Sequence, residues 1–285
     1  DSLARRGEPR YARVFFGLRR PRFTVLGSSF AGNVEATGSS VTRFAVGDKV
    51  FGVLAPNFGA HADYACMSEQ AAVAPMPANL TYAEAASVAD ATALYFLRDK
   101  AHIQQGQNIL INGASGAVGT SAVQLARHYG AVVTGVCSGA NADVVRGIGA
   151  KDVIDYTQTD FTRGPHSYDV IFDVAGTSSY ARCRSALSPS GVYLTTAPSP
   201  AIFLQMAWTA RFGPRRAVVG FAGMRPADDK RKDLLHIKTL AEANALAPVI
   251  DETYPLTRIG DAYRHVDAGH KHGNVIVTMT DDATG

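Results

Sequence analysis

The chain has 285 residues, of which 46% are hydrophobic, and its formal net charge is +3. This length suits one large domain or two ordinary ones, and the small charge does not support nucleic-acid binding. The apolar runs are too short for a membrane span. Three widely separated cysteines exclude a disulfide framework and a four-thiolate zinc site, and they favour a reducing, cytoplasmic setting.

The two ends of the chain share a strand-rich pattern. Residues 23–78 contain short strand-like pieces separated by Gly and Pro: FTVLG, GNVEATG, GDKVFGV and HADYACM. Residues 247–285 return to this pattern with APVIDETYPL and NVIVTM. We therefore expect one antiparallel β domain made of residues 1–90 and 247–285.

Between these ends, residues 91–246 alternate strands with helices. Strands are predicted in QNILIN, AVVTGVC, DVIDY, YDVIFDVAG, GVYLTTA and RAVVGFAG. Helices are predicted in AVGTSAVQLARHYG, ADVVRGIGA, SSYARCRSALS and ADDKRKDLLHIKTLAEANA. This alternation predicts an α/β domain with a doubly wound parallel sheet, inserted into the β domain.

The turn between the first strand and the first helix of this domain reads GASGAVG at 113–119. Its Ala114, Gly116 and Gly119 form an A-x-G-x-x-G variant of the dinucleotide-binding fingerprint. Gly116 lets a phosphate approach the backbone, and Gly119 lets the helix pack closely on the strand. A plain tight turn is the alternative, but the strand before it and the helix after it favour dinucleotide binding.

The end of the next strand indicates which dinucleotide is bound. Proteins that bind NAD usually place an acid there for the ribose 2′-hydroxyl. Here the strand ends GVCSGAN, with Ser138 as a hydroxyl donor, no acid, and Arg146 as the nearest cation. This pattern favours NADPH and leaves NADH as an alternative.

Long stretches of the chain resemble one known family in order and spacing. They are residues 26–52, 58–88, 91–138, 149–156 and 269–278. They resemble the zinc-independent medium-chain dehydrogenase/reductases of the quinone oxidoreductase-like branch. The resemblance implies a GroES-like β domain with an inserted Rossmann domain. It also implies NADPH-dependent hydride transfer to a quinone or an α,β-unsaturated carbonyl.

The resemblance also implies roles for individual residues. The pyrophosphate turn would consist of Ser115, Gly116, Ala117 and Val118. Ser138 and Tyr156 would flank the adenosine 2′-phosphate, and Thr92 would precede the helix leading into the cofactor cleft. Gly220, Phe221 and Ala222 would lie near the nicotinamide, and Asn274 would close over the cofactor. Ordinary packing is the alternative for Tyr156 and Asn274.

The chain departs from the family pattern at three points. Relatives often read Cys-Ser-Thr-Arg after the second strand, whereas residues 137–140 read Cys-Ser-Gly-Ala, so we expect only a modest preference for NADPH. Ser29 stands where relatives have Asp. Residue 1 falls well inside the family pattern, so we expect an N-terminally incomplete β domain that lacks part of the substrate site.

Zinc-dependent members of the superfamily use a Gly-His-Glu stretch and a cysteine. Here those positions hold Gly-Ser-Ser at 27–29 and Val88, which predicts no catalytic metal. His270 and His272 form an H-x-H sequence that we interpret as a solvated basic turn. His61 and Tyr64 are candidate proton donors, although packing in the β domain is favoured for Tyr64; the catalytic residues remain unassigned.

Residues 201–213, AIFLQMAWTARFG, are rich in large apolar groups. They predict either a wall of an apolar acceptor pocket or a core or homodimer-interface helix. The sequence thus favours an NADPH-dependent reductase of small quinones or enones, without nucleic-acid or membrane partners. A catalytically silent NADP-binding protein is the main alternative, and an alcohol dehydrogenase is a weaker one.

Overall fold

The computed structural model describes residues 2–7, 13, 17, 20–164 and 167–279. The chain divides into two compact units. The first unit consists of Asp1–Ala91, Gly223–Asn244 and Pro248–Gly285, and the second of Thr92–Ala222 and Ala245–Ala247. None of the described helices combines the length and the apolar content that a membrane crossing requires.

The described residues form eleven strands, numbered here in chain order. They are β1 (Ser29–Asn33), β2 (Lys49–Val53), β3 (Val73–Pro75), β4 (Asn108–Asn112), β5 (Val132–Cys137), β6 (Asp152–Asp155), β7 (Tyr168–Asp173), β8 (Leu187–Thr195), β9 (Arg216–Val219), β10 (Ile250–Pro255) and β11 (Asn274–Thr278).

The α-helices of four or more residues in the same part of the chain are α1 (Ser2–Arg6), α2 (Tyr82–Val88), α3 (Ala117–His128), α4 (Ala142–Gly147), α5 (Tyr180–Cys183), α6 (Pro200–Arg211), α7 (Ala227–Glu242) and α8 (Ile259–Asp267). A single helical turn, Thr92–Leu94, continues into the π-helix Tyr95–Lys100. Short 3₁₀ turns occur at Gly139–Asn141, Ala222–Met224 and Leu256–Arg258.

The second unit is built around a six-stranded parallel sheet with the order β6-β5-β4-β7-β8-β9. Within this unit the chain enters the sheet at β4 and adds β5 and then β6 on one side. It then returns to the other side of β4 and adds β7, β8 and β9. The middle of β4 is fully buried at Ile109, Leu110 and Ile111, as expected of a strand covered on both faces. The predicted doubly wound parallel sheet is therefore confirmed.

One predicted helix of this unit is much shorter in the structure. SSYARCRSALS forms only α5, which begins after Ser179, whose hydroxyl accepts from the Arg182 backbone N–H. The end of the predicted helix instead enters the sheet, because Leu187 at the start of β8 pairs with Tyr168 of β7. Strand pairing at this point overrides the helical pattern of the sequence.

The first unit contains a three-stranded antiparallel sheet, β1-β2-β3, and a separate parallel pair, β10-β11. The strands predicted at 23–27 and 61–67 do not form. Gly27 has a φ of 89°, which breaks an extended conformation. Backbone bonds from Gly59 and His61 to the Leu26 carbonyl make a local loop there instead of a ladder.

Helix α7 belongs to the first unit, although we expected residues 91–246 to form one domain. It packs against β2 and β3. The buried Lys230 ammonium donates to the Ala55 carbonyl at 2.6 Å, and Asn79 Nδ2 donates to the Ala241 carbonyl at 2.9 Å. These bonds attach the helix to the β structure, while the domain boundaries themselves stay a prediction.

The start of α3 lies against the turn that follows β4. A Cβ atom on Gly119 would lie 2.0 Å from the Gly113 carbonyl oxygen and 2.9 Å from the Ala114 Cα. Both neighbours are backbone atoms, so no side-chain rotation could relieve the overlap. Gly119 is therefore required by the contact between strand and helix.

We predict that Gly119→Ala destabilises the protein by about 1–3 kcal/mol, as overpacking does. Gly147→Ala is the matched control, because nothing lies within 4 Å of its added Cβ at the end of α4. The control should be neutral or should stabilise by up to about 1 kcal/mol. Urea unfolding measures both variants, and equal free energies of unfolding for the two would contradict the close contact.

His61 lies in the loop that contacts Leu26 and Gly27. Burial lowers the pKa of its imidazole from 6.5 to about 4. The unfolded chain therefore takes up a proton near pH 6.5, whereas the folded chain resists it until about pH 4. Stability from this group is fully present above pH 6.5 and is lost as the pH falls toward 4.

We predict that the free energy of unfolding of His61→Asn falls less between pH 6.5 and 4 than that of the unchanged protein. The difference should be at most about 3 kcal/mol. The measurement is the free energy of unfolding in urea at several pH values. Gln105→Asn, an exposed substitution that changes no titrating group, is the control and should keep the pH dependence of the unchanged protein. Identical pH profiles for His61→Asn and the unchanged protein would refute the assignment.

Candidate functional site

The glycine turn, residues 113–116, connects β4 to α3. Gly113 has a φ of 86°, which turns the chain sharply out of the strand. The backbone N–H groups of Gly113 and Ala114 both donate to the Val136 carbonyl of β5 at 3.0 Å, and Gly116 N–H donates to the Gly113 carbonyl at 3.1 Å. The turn is thus continuous with β4, hydrogen-bonded to β5 and closed by a bond of its own.

The N-terminus of α3 opens directly from this turn. Gly116 is the N-cap residue, no side chain caps the helix, and its first turn contains no acid. A Cβ on Gly116 would meet only the Gly113 carbonyl oxygen, at 3.5 Å, so the natural residue leaves the backbone accessible. An uncapped helix start carries partial positive charge and free N–H donors. The turn therefore fits a pyrophosphate group.

The turn also lies where the winding direction of the sheet reverses. Strand β4 has β5 on one side and β7 on the other, so the loops after β4 and β7 leave the same edge in opposite directions. Ligands of open α/β sheets bind in this crevice. The position agrees with the binding site that the fingerprint predicts.

A buried carboxylate that the sequence analysis did not identify lies at this edge. Asp173 ends β7 with no exposed surface and accepts bonds from Asn112 Nδ2 and the Tyr193 hydroxyl, both at 2.8 Å. It also accepts from the backbone N–H groups of Gly176 and Ser178. Burial raises the pKa of the Tyr193 hydroxyl, which stays a hydrogen-bond donor. Asp173 therefore joins β4, β8 and the loop after β7.

The predicted adenosine-side residues gather at the carboxyl ends of β5 and β6. Ser138 follows β5, and Tyr156 follows β6, where its backbone N–H donates to the Cys137 carbonyl. The Tyr156 side chain is 59% exposed, so it is available to a ligand and is not packed in the core. Asn141 Nδ2 donates to the Ser115 hydroxyl at 3.3 Å and thereby links this region to the glycine turn. No local sequence pattern singles out Asn141.

An acid also lies here, although none ends β5. Asp155 ends β6 opposite Cys137 of β5. Its Oδ2 lies 2.7 Å from the place where a Cβ on Gly139 would be. Hydrogen bonds from Thr157 lower the pKa of the Asp155 carboxyl, which favours its charged form. The pairing of β6 with β5 brings this acid to the loop that follows β5. Residue spacing along β5 could not reveal it, because the acid belongs to another strand.

The other predicted residues of the second unit occupy two further places. Thr92 begins the turn Thr92–Leu94, which packs against α3. Gly220 follows β9, and a Cβ on it would lie 2.9 Å from Tyr95 Cε1, so the glycine allows close approach of that ring. Phe221 stacks on Phe203 with 6.3 Å between ring centroids, and Ala222 begins a 3₁₀ turn.

The first-unit candidates line one groove of about 1150 Å³, which includes His61, Tyr64 and Asn274. Tyr64 is 72% exposed, so the expectation that it packs in the β domain is wrong. Asn274 begins β11, and its backbone N–H and Nδ2 both donate to the Val249 carbonyl. Its role toward a cofactor stays a prediction.

The H-x-H turn is more ordered than expected. His272 Nδ1 lies 2.8 Å from one oxygen of Asp251, and His265 Nε2 lies 2.6 Å from the other. His272 is therefore paired and is not simply solvated. This carboxylate anchors the segment before Asn274 to the start of β10.

The positions of the zinc ligands in the superfamily contain no metal-binding side chains here. Val88 is buried in α2, and residues 27–29 are Gly, Ser and Ser. Within the described part of the chain, no three His, Cys, Asp or Glu residues are arranged to hold a metal ion. Independence from metal remains a prediction.

Comparison with known proteins gives two family models. The model described as an alcohol dehydrogenase GroES-like domain matches residues 6–89, and the model described as a zinc-binding dehydrogenase matches residues 148–277. The solved quinone oxidoreductase from Coxiella burnetii aligns with a TM-score of 0.84 and 25% identity, over 98% of this chain and 86% of that one.

Two curated relatives agree with this result. The chain is 32% identical over 89% of its length to a chloroplastic quinone-oxidoreductase homolog of Spinacia oleracea, of which it covers 79%. It is 31% identical over 90% of its length to an NADPH-dependent alkenal/one oxidoreductase of Arabidopsis thaliana, of which it covers 64%. With the Rossmann-type sheet and the glycine turn already described, these matches show that the chain belongs to the quinone oxidoreductase-like family of medium-chain dehydrogenase/reductases.

Proposed function

We propose that this oxidoreductase uses NADPH to reduce a small quinone or α,β-unsaturated carbonyl without a metal ion. The observation that carries the proposal is the uncapped start of α3, opened by Gly116 at the reversal point of the sheet. The names of the spinach and Arabidopsis relatives support the two acceptor classes. The free thiols of Cys66, Cys137 and Cys183 are compatible with a reducing, cytoplasmic compartment.

The residues proposed to hold the dinucleotide are those of the turn and its surroundings. Ser115, Gly116, Ala117 and Val118 would surround the pyrophosphate, with the first N–H groups of α3 as donors, and Ser138 and Tyr156 would flank the adenosine. Thr92, Gly220, Phe221, Ala222 and Asn274 are proposed for the nicotinamide end. When bound, the reduced cofactor supplies a hydride.

The chain's own contribution to the reaction would be orientation of the acceptor. Phe203 and Phe221 form a stacked aromatic pair beside the end of β9. Such a surface suits a planar, conjugated acceptor. We assign no catalytic acid: His61 is neutral at pH 7 because burial lowers its pKa to about 4, and solvent water can protonate the product.

The outward face of α6 supports a homodimer as part of this proposal. Leu204 is 74% exposed and Trp208 65% exposed, and the Trp208 ring lies 4.6 Å from that of Phe212 between centroids. Strand β9, against which α6 packs, is the last strand in the described order of the sheet. Exposed aromatic side chains next to a sheet edge are typical of an association surface.

We expect the protein to oxidise NADPH when a small 1,4-quinone or an enal is added, as followed by absorbance. Gly116→Val should weaken NADPH binding by roughly tenfold or more, because its side chain displaces a charged hydrogen bond of about 1.5–3 kcal/mol. Gly147→Ala, outside the turn, is the control and should bind normally.

Two results would separate this proposal from its alternatives. Tight NADPH binding without turnover of any quinone or enal would favour a catalytically silent binding protein. Turnover of simple alcohols in place of these acceptors would favour an alcohol dehydrogenase.

We also expect activity to be independent of zinc, because residues 27–29 and Val88 offer no thiolate, imidazole or carboxylate. Protein prepared without added metal should contain zinc well below one equivalent by elemental analysis. Treatment with a strong chelator should leave the rate unchanged. Stoichiometric zinc whose removal abolishes activity would refute this expectation.

A further inference from the structure

The adenosine-side loop, residues 138–141, has a carboxylate as its neighbour. Asp155 ends β6, and register pairing places it opposite Cys137, the residue before the loop. Gly139 contributes no side chain, and a Cβ there would lie 2.7 Å from Asp155 Oδ2. The glycine therefore allows the carboxylate to approach the loop backbone.

The two oxygens of Asp155 have different surroundings. Oδ1 accepts from the Thr157 backbone N–H at 2.9 Å and from the Thr157 hydroxyl at 2.8 Å. Oδ2 is the oxygen next to Gly139, whose backbone N–H also lowers the pKa of the Asp155 carboxyl. Thr157 thus orients the carboxylate, lowers its pKa and leaves Oδ2 toward the loop.

Arg146, the cation closest in sequence to the 138–141 loop, is paired with another acid. Its Nη1 donates to Asp143 Oδ1 at 3.0 Å on an exposed face of α4. The charge of Asp155 also reaches Cys137, where it adds to the effect of burial in raising the pKa of the thiol, while Arg146 acts in the opposite direction. The charged groups near the loop therefore include Asp155 and the exposed pair of Asp143 and Arg146, in which the two charges are opposite.

We propose that Asp155 is a specificity-determining residue that reduces the preference for a 2′-phosphorylated dinucleotide. The inference rests on the proposed function, because it requires the adenosine ribose to lie at the 138–141 loop. A 2′-phosphate at that place would meet a fixed negative charge, whereas a 2′-hydroxyl can donate a hydrogen bond to a carboxylate. Ser138 favours the phosphate and Asp155 opposes it.

The experiment compares dissociation constants for NADPH and NADH by fluorescence titration, without turnover. Asp155→Asn keeps an oxygen that can accept from Thr157 and removes the charge. Asp155→Asn should increase the affinity for NADPH relative to the affinity for NADH by about threefold to tenfold at low salt. The increase should be smaller at high salt. Asp152→Asn, an identical change at the other end of β6, should leave the ratio unchanged.

A second variant tests the same charge without altering the acid. Gly139→Ala would place a Cβ atom 2.7 Å from Asp155 Oδ2, so the carboxylate and the loop must move apart. It should shift the affinity ratio in the same direction as Asp155→Asn. This variant decides the question if thermal unfolding shows that Asp155→Asn is not folded.

The outcomes distinguish this inference from the proposed function. If both dinucleotides bind the unchanged protein and neither variant changes their affinity ratio, the role of Asp155 is overturned and the proposed cofactor stands. If the folded, unchanged protein binds neither dinucleotide, the proposed function fails and the specificity inference fails with it.

Discussion

The close contact between α3 and the end of β4 is the constraint on which the second unit depends. Gly119 touches the backbone of the glycine turn so closely that a single added carbon would overlap the Gly113 carbonyl oxygen. This contact aims the helix start, with its unsatisfied N–H groups, at the sheet edge. The same packing therefore determines both the fold of the unit and the position of its candidate anion site.

Two carboxylates at this edge have different roles because their surroundings differ. Asp173 is fully buried and accepts bonds from several donors, so its hydrogen bonds join neighbouring strands. Asp155 is bound by Thr157 at one oxygen and approaches a loop with the other. The first joins the strands beside the glycine turn, and the second places a carboxylate beside the 138–141 loop.

The candidate site was predicted in part from sequence. The glycine turn, Ser138 and Tyr156 are adjacent to strand ends, so local sequence was sufficient to place them on one edge of a parallel sheet. Asn141, Asp155 and Asp173 were missed because their importance comes from pairing between strands. Asp155 ends the third strand of the unit along the chain, and only its register against β5 brings it to the loop after Cys137.

The sequence by itself determined the family, the parallel α/β unit and its glycine turn, because alternating apolar runs and closely spaced glycines act over a few residues. Only the tertiary structure decided which segments of the first unit form strands. Residues 23–27 and 61–67 have strand-like composition, but a ladder requires a partner in register, and Gly27 and the bonds to Leu26 direct the chain into a loop.

The tertiary structure likewise decided the place of α7, since a helical pattern specifies an apolar face but not its partner. Bonds from Lys230 to Ala55 and from Asn79 to Ala241 join that helix to the segments after β2 and β3, which are distant in sequence, and no local pattern encodes such contacts.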